Sequence, residues 1–93
     1  MPFRYDFSDE LKEVLSKLVK KDRTRYEIFL KKVEEVSSRD ETTIDAYKNL
    51  RHDLKEYKRV HIDKNFVLLF KVFKKERFIL FDRLDHHDNI YKR

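Results

Sequence analysis

Four histidines and two arginines carry the chemistry that this sequence can support. They are His52, His61, His86, His87, Arg59 and Arg83. An imidazole titrates at about pH 6.5, so it can accept or release a proton near neutral pH. A guanidinium stays charged and can hold a phosphate through two parallel hydrogen bonds. Residues of these two types on one surface can therefore bind a phosphate and move a proton beside it.

The spacing of these residues favours a site built around His61. Polar and apolar residues alternate over residues 57–62, so Arg59 and His61 point to the same side of a predicted strand. His86 and His87 are adjacent in a predicted extended segment, so they point in opposite directions and at most one of them can join His61. A structural alternative for His61 is a histidine packed at a sheet edge and hydrogen-bonded to a backbone carbonyl.

The residue types that are missing narrow the chemistry further. The chain has no cysteine and no glycine, which excludes disulfide frameworks, cysteine nucleophiles and glycine-rich phosphate loops. No helical metal-binding histidine spacing is present and the serines belong to helix caps and faces, so neither a metal, a cofactor nor a serine nucleophile is expected. RNA carries its own nucleophile, the 2′-hydroxyl, and two imidazoles with a guanidinium are sufficient to cleave it. Tyr57 and Tyr91 can add base stacking.

The charge distribution indicates a surface that faces a polyanion. The net charge is +5, and residues 47–93 carry 13 lysines and arginines against 7 acidic residues, whereas residues 1–46 carry 10 against 11. All four histidines also lie in the second half. Such a basic surface attracts nucleic acid, and an ordinary solvated charged surface is the equally frequent alternative.

Length and hydrophobicity fit a single domain over residues 1–93. The hydrophobic content of 40% is enough for one core. The longest apolar run, residues 66–70, is far shorter than the roughly 20 residues of a membrane helix, and the N-terminal residues contain no apolar signal segment. We therefore expect a soluble protein of the cytoplasm.

Hydrophobic periodicity predicts the elements that must position these side chains. Alternation over residues 3–7 predicts a strand, and two apolar stripes predict helices that begin at Ser8 and Thr24 and form an antiparallel hairpin. Residues 39–46 are expected to form a loop, and residues 47–56 fit no single element. Antiparallel strands are predicted over residues 57–62, 66–73 and 78–84. The fold class is therefore α+β, in the order β-α-α-β-β-β, with the hairpin on one face of one sheet.

The strands over 66–73 and 78–84 are apolar at nearly every position, so both of their faces should be covered. The helices can cover one face. The other face calls for either a bound partner or a tail, residues 85–93, that folds back. In the turn before the first of these strands, Asn65 is expected to adopt the left-handed conformation, since the chain has no glycine.

The chain resembles the RelE/ParE superfamily of toxins over its whole length in element order, and within it the YafQ-like RelE branch, with residues 54–91 carrying nearly all of the specificity. Residues 54–62 are similar to the Leu-Lys-Gly-Tyr-Arg-x-x-His-Ile run of that branch, and residues 66–72 are similar to its Trp-Leu-Leu-Ile-Tyr-Lys strand. The segment from Arg83 to Tyr91 is similar to its closing Arg-x-Gly-x-His-x-x-x-Phe pattern.

This resemblance implies a RelE-like fold and a toxin of a type II toxin–antitoxin system. Such a toxin is a ribosome-dependent mRNA endoribonuclease, acts on mRNA in the ribosomal A site, and is held inactive by a cognate antitoxin. The family's catalytic histidines correspond to His61 and His87, in either order of base and acid, and its phosphate-binding arginine corresponds to Arg83. His52 is a weaker match to a further family histidine, and Tyr91 takes the place of the closing aromatic residue.

The chain differs from the YafQ-like branch at two positions of the resemblance, and two other functions are compatible with the sequence. Asn65 stands where the branch has an aspartate, so the role of that carboxylate is lost or passes to Asp63, and Asp85 stands where the branch has a glycine. Arg59 is expected to share the scissile phosphate with Arg83. The alternatives are a ParE-like toxin that inhibits DNA gyrase by binding, and a non-catalytic module that binds an antitoxin or nucleic acid.

Overall fold

The chain runs through a strand, two helices and three further strands into a short helix. The structure, a computed structural model, describes residues 3–51 and 54–91. Its strands and α-helices are β1 (Arg4–Phe7), α1 (Asp9–Lys21), α2 (Arg23–Ser37), β2 (Lys58–His61), β3 (Phe66–Phe73), β4 (Phe78–His86) and α3 (His87–Tyr91). The α+β class and the predicted β-α-α-β-β-β order are confirmed, and α3 is an additional element in the segment expected to be a tail.

Local hydrogen bonds explain where the first two helices begin. Ser8 caps α1 as the sequence predicted, since its Oγ accepts a hydrogen bond from the Leu11 N–H at 3.1 Å. The predicted cap of α2 at Thr24 is wrong. The Asp22 carboxylate accepts the N–H of Arg25 at 3.0 Å instead, and α2 begins directly after Asp22. A single residue therefore separates the two helices.

The segment predicted as a loop contains a turn of 3-10 helix, Thr43–Ala46. Its one apolar residue in the core is Ile44, whose side chain is fully buried. Asp40 organises the start of this turn. The Thr43 N–H and the Thr42 hydroxyl donate to its carboxylate and hold the pKa of Asp40 far below its ordinary value. One buried isoleucine was too weak a periodic signal to predict the turn.

The four strands form one mixed sheet in the order β1-β4-β3-β2. Strands β2, β3 and β4 make the predicted antiparallel meander, whereas β1 pairs in parallel with β4. A bulge interrupts the β3–β4 pairing, because Leu69 is aligned with Arg83 but Phe70 is aligned with Phe81. Asp82 is the extra residue on β4, at the point where the strand passes the candidate site.

The main core lies between the helical hairpin and one face of the sheet. The largest fully buried side chains are Phe29, Phe70, Phe81 and Leu11. Two members of the predicted helical stripes, Val14 and Leu30, are exposed instead, at 37% and 42%. The remaining stripe residues are enough to hold both helices on the sheet, because the buried positions still recur every three or four residues.

A second, smaller core lies on the opposite face of the sheet. It contains Leu50, Val67, Leu69 and Ile90, with Leu54, Tyr57 and Tyr91 packed around it. Helix α3, together with Leu50, Leu54 and Tyr57, therefore covers this face. Of the two explanations left open by the sequence, the folded-back tail is the one observed. The argument that an uncovered sheet face requires a partner does not hold for the described residues.

The left-handed backbone position is not the predicted one. Among the described residues, Arg77 in the β3–β4 turn is the non-glycine residue with positive φ, at 51°. The turn before β3 is built without such a residue. There the Asp63 carboxylate accepts the backbone N–H groups of Asn65 and Phe66, at 2.8 and 3.0 Å, which is the hydrogen bonding of an Asx turn.

Replacing Ser8 by alanine is expected to lower the free energy of unfolding by about 1–2 kcal/mol. Ser8 Oγ caps α1 and also donates to the backbone carbonyl of Asp82 at 2.7 Å, so it joins the helix to the β4 bulge. Ser16→Ala is the matched control, because Ser16 is exposed on the same helix and its Oγ bonds only to the Glu13 carbonyl. Chemical denaturation measures both variants, and equal losses would contradict the dual role of Ser8.

Candidate functional site

The structure brings His61 and His87 together. His61 is the exposed last residue of β2, and His87 is the first residue of α3. Their ring centres are 6.1 Å apart, with the planes inclined by 26°. A hydrogen bond of 2.6 Å from the His87 N–H to the Asn65 carbonyl fixes the start of α3 beside the β2–β3 turn. His61 is therefore held by the first strand of the β2–β3–β4 meander, and His87 by the helix that follows its last strand.

His86 points away from this pair, as the sequence predicted for adjacent histidines. Its ring lies edge-on to Phe66, with centres 5.6 Å apart. Its Nδ1 accepts the Asp88 N–H at 3.1 Å, within the first turn of α3. His86 therefore has a structural role at the β4–α3 junction, and the expectation that at most one of the two histidines joins His61 is confirmed.

Arg59 and Tyr91 extend the imidazole pair on one side. The Nη1 of Arg59 donates to the Tyr91 hydroxyl at 2.6 Å, and the guanidinium carbon lies 5.5 Å from the centre of that ring. The Tyr91 ring is in turn 4.5 Å from the ring of His87, centre to centre. A continuous row of contacts thus joins a cation, a phenol and two imidazoles.

Arg83 lies in the same sheet register but has a different partner. Strand pairing aligns it with Leu69 and Arg59, so the two arginines lie on one line across the sheet. The Nη2 of Arg83 bonds to Asp85 Oδ2 at 3.1 Å, with the two side chains 39% and 31% exposed. The residue that replaces the glycine of the YafQ-like branch therefore forms an ion pair with the arginine that the resemblance assigns to phosphate.

Two clefts separate the arginines. The first has a volume of about 290 Å³ and is lined by Asn49, Leu50, Arg51, Leu54, Arg59, Ile90 and Tyr91. The second has a volume of about 330 Å³ and is lined by Glu10, Leu54, Tyr57, Leu69, Asp82, Arg83 and Asp85. Leu54 lies between them. The lining of the first cleft is cationic, whereas that of the second contains three carboxylates and one arginine.

Tyr57 belongs to the second cleft, although the sequence grouped it with Tyr91. Its hydroxyl donates to Asp82 Oδ2 at 2.8 Å, and Lys71 Nζ lies 4.8 Å from its ring centre. Burial and the hydrogen bond to Asp82 raise the pKa of Tyr57 to about 12. The phenol therefore stays protonated at neutral pH and is engaged at the β4 bulge. His52, the other expected substrate-binding residue, lies outside the described residues.

Asp63 has a structural role that answers one open question from the sequence. Burial alone would raise the pKa of Asp63, but hydrogen bonds from Arg25 and from the N–H groups of Asn65 and Phe66 outweigh burial and lower it. Arg25 Nε lies 2.8 Å from its Oδ2. Such a weakly basic, fully engaged carboxylate builds the β2–β3 turn and is a poor general base.

Asp88 is a further candidate functional residue, which the sequence motifs did not single out. Its Oδ1 lies 3.6 Å from His87 Nδ1, so the carboxylate is placed to orient that imidazole once the ring is protonated. The available signal was its position directly after His87. A carboxylate next to a catalytic imidazole commonly fixes the orientation of the ring.

Asp85→Asn is expected to reduce stability at neutral pH but not in acid. Burial alone would raise the pKa of Asp85, but hydrogen bonds from Asn89, the His86 N–H and Arg83 outweigh it and lower the pKa. A lowered folded-state pKa means that the charge stabilises the fold above the unfolded value of about 3.9, and this contribution is lost as the pH falls through the folded-state pKa. The variant should lose about 1 kcal/mol at pH 7.

Denaturation curves between pH 3 and pH 7 test the Asp85 variant. Glu76→Gln is the control, since it removes an exposed carboxylate from the β3–β4 turn. A loss of stability by Asp85→Asn that is independent of pH would contradict a role for the charge.

Comparisons with known proteins bear on the whole chain. A relative from Methanocaldococcus jannaschii, whose name RelE4 places it among the RelE toxins, is 43% identical over 91 residues, which are 98% of this chain and 93% of the relative. An uncharacterised protein of Methanosarcina mazei is 40% identical over 82 residues, which are 88% of this chain and 91% of that protein. No protein-family model matches the chain.

Solved structures with the same fold are much more distant in sequence. The toxin–antitoxin complex RelBE2 of Mycobacterium tuberculosis contains a chain that is 19% identical, with a TM-score of 0.62 and coverage of 94% of this chain and 93% of that one. YafQ of E. coli is 17% identical, with a TM-score of 0.62 and coverage of 96% and 98%. A conserved protein of Helicobacter pylori is 16% identical, with a TM-score of 0.66 and coverage of 96% and 99%. Within residues 3–51 and 54–91, no helix is long and apolar enough to cross a membrane.

Proposed function

This chain belongs to the RelE family of toxins, and from that premise we propose that it is the toxin of a type II toxin–antitoxin system that cleaves mRNA on the ribosome. The observation that carries the proposal is the imidazole pair, His61 and His87, with ring centres 6.1 Å apart. Inhibition of a target by binding alone has no need of two adjacent imidazoles, one to accept a proton and one to donate it. A cleavage reaction needs both.

The reaction that suits these residues uses the 2′-hydroxyl of the RNA as nucleophile. One imidazole removes the 2′ proton while the 2′ oxygen attacks phosphorus, and the other protonates the departing 5′ oxygen as the bond from phosphorus to that oxygen breaks. The products are a 2′,3′-cyclic phosphate and a 5′-hydroxyl. Arg59 and Arg83 stabilise the additional negative charge on the phosphorane.

Two neighbouring residues position these groups. Tyr91 holds Arg59 beside His87 through its hydroxyl, and Asp88 orients the His87 ring from 3.6 Å away. Asp85 competes with the RNA for Arg83, because a phosphate that binds Arg83 must replace the carboxylate as its partner. The chain therefore binds RNA more weakly through Arg83 than a relative with glycine at this position does.

A cognate antitoxin is the protein partner under this proposal. The basic second half of the chain suits an acidic partner with an amphipathic helix, because such a partner would neutralise the surface that faces RNA. The support for this partner is the family and the charge distribution, since the second core already covers the sheet face. Both toxin and antitoxin would act where translation takes place, in the cytoplasm.

The experiment that tests the function adds the purified protein to translating ribosomes and maps the 5′ ends of the mRNA. We expect new, discrete 5′-hydroxyl ends inside the translated region, and no cleavage when the nucleotide before the cut carries 2′-deoxyribose. A DNA gyrase supercoiling assay runs alongside. Intact mRNA with inhibited supercoiling would replace the nuclease proposal with the gyrase alternative, and intact mRNA with normal supercoiling would identify a non-catalytic module.

A further inference from the structure

We propose that the first cleft is a nucleotide subsite that holds one base of the RNA next to the imidazole pair, with the phosphate of that nucleotide on Arg51. The inference rests on the proposed RNA cleavage and adds a binding site to it. It commits to RNA as the occupant because the lining combines cations with apolar and aromatic surface, the combination that single-stranded nucleic acid requires.

The cleft is continuous with the catalytic residues. Tyr91 forms part of its wall, and the same ring lies 4.5 Å from that of His87, centre to centre. Arg59, also in the wall, bonds to the Tyr91 hydroxyl at 2.6 Å. A nucleotide in the cleft therefore lies beside Arg59 and the imidazoles, where the scissile phosphate of the strand would bind, and its own phosphate lies on the side of Arg51.

The interior of the cleft suits a base and little more. Leu50, Leu54 and Ile90 supply an apolar floor, and Leu50 and Ile90 are only 9% and 4% exposed. The volume of about 290 Å³ is at the lower end of the range of about 300–1,000 Å³ for small-molecule sites. One base can pack between this floor and Tyr91, whereas the volume of the cleft is too small for a second nucleotide.

The cleft offers a base mostly apolar and aromatic surface. The amide of Asn49 is fixed in orientation, since its Nδ2 donates to the Lys55 carbonyl at 2.9 Å and its Oδ1 accepts from Lys58 Nζ at 3.0 Å. One N–H and one lone pair of that amide remain. Stacking and apolar contact accept every base, so we expect these contacts to supply affinity with little sequence preference.

The second cleft is less suited to bind the phosphate of a nucleotide than the first cleft is. Glu10, Asp82 and Asp85 line it together with Arg83, and Arg83 is already paired with Asp85. Negative charge in such a cleft repels a phosphate. Among the described residues that line it, the first cleft has Arg51 and Arg59 and no carboxylate, so an RNA strand that approaches the imidazoles is attracted to it.

Amide shifts in NMR spectra locate the subsite directly. The labelled protein is titrated with AMP, GMP, CMP and UMP, and with ribose 5-phosphate as a probe that lacks the base. We expect all four nucleotides to shift the amides of Leu50, Leu54 and Ile90 with affinities within about threefold of one another, since stacking is tolerant of the base. Ribose 5-phosphate should leave these three amides in place. Shifts centred on Tyr57 and Asp82, or equal shifts with ribose 5-phosphate, would overturn the inference.

Arg51→Ala tests the phosphate contact, because Arg51 is exposed and is not part of the proposed catalytic group. Loss of one charge-assisted hydrogen bond should weaken nucleotide binding about tenfold. Arg23→Ala is the matched control, since Arg23 is exposed on α2 and faces Glu27 at 3.6 Å. Equal affinity of the Arg51 variant and the control would overturn the inference.

The cleavage assay separates this inference from the proposed function. If the wild-type chain cleaves mRNA but Arg51→Ala binds nucleotides as well as the wild type, the subsite proposal is contradicted and the proposed nuclease activity is supported. Shifts at the first cleft with all four nucleotides but not with ribose 5-phosphate, without mRNA cleavage, would support the subsite and contradict the proposed nuclease activity. Far-ultraviolet circular dichroism confirms that each variant is folded before either assay is interpreted.

Discussion

Replacing His87 by alanine lowers the rate of mRNA cleavage by about 10²–10⁴-fold, the effect of removing one general acid or base. His61→Ala has an effect of similar size, because each imidazole performs one of the two proton transfers. The double variant should lose little more than either single variant, since residues that act as a unit are not additive. Single-turnover cleavage on stalled ribosomes is the measurement, with the enzyme in excess.

His86→Ala is the matched control for this prediction. It removes an imidazole from the adjacent position, but that ring packs against Phe66 and accepts the Asp88 N–H. We expect the control to keep cleavage within about threefold of wild type, at a small cost in stability of under about 2 kcal/mol. A chain in which His86→Ala is inactive and His87→Ala is fully active would reverse the assignment of the imidazole pair.

Arg83→Ala is expected to lower the cleavage rate by about 10²–10³-fold, the usual effect of removing a group that stabilises developing charge. Arg83→Lys should restore only part of the rate, because an ammonium cannot form two parallel bonds to a phosphate. Both substitutions affect a side chain that is 39% exposed, so folding should be retained. Arg23→Ala again supplies the exposed control.

Asp85→Asn should have the opposite effect on RNA binding. It removes the negative charge 3.1 Å from the Arg83 guanidinium, so the arginine becomes available to a phosphate and KM should fall by up to about fivefold, as expected for a pair worth up to about 1 kcal/mol. The measurement is the dependence of cleavage rate on ribosome concentration. Full activity in Arg83→Ala together with loss in Arg59→Ala would show that Arg59 alone holds the phosphate.

The elements with local signals were predicted well from the sequence. Leu11 and Leu15 recur at helical spacing in α1, and Ser8 precedes them as a cap, so the helix and its first residue follow from neighbouring residues alone. The β2–β3–β4 meander also follows from local alternation and turns. The short helix α3 and the turn Thr43–Ala46 were missed, because each has only one buried apolar residue and no repeating pattern.

The missed features depend on contacts between distant residues. The sequences of β1 and β4 contain no pattern that indicates their parallel pairing. The second core brings Leu50 and Ile90 together on one face of the sheet, and neither position belongs to a repeating apolar pattern that predicts burial. The cap at Asp22 was missed for a different reason, since Thr24 and Glu27 matched a capping-box pattern that the actual helix start does not use.

The candidate site was predictable where residue types defined it. Imidazoles are rare in this chain, so the choice of His61 with one of two adjacent histidines had few alternatives, and the structure brings His61 and His87 together. The ion pair of Arg83 with Asp85 was not predicted, because residues two apart on a strand carry no signal that their side chains will pair. Tyr57 was grouped with Tyr91 on composition, whereas the sheet register places it at the β4 bulge.

The pairing of β1 with β4 affects how the chain becomes active during its synthesis. Strand β1 is synthesised early, whereas its partner strand β4 is synthesised near the end of the chain. The β4 bulge, to which Ser8 bonds, and the segment from Arg83 to His87 are synthesised equally late. A nascent chain that lacks β4 therefore has exposed apolar helix faces and no imidazole pair, and it is a candidate for chaperone binding. Under the proposed function, the ribosome that makes this protein would therefore meet the complete imidazole pair only after the sheet has closed.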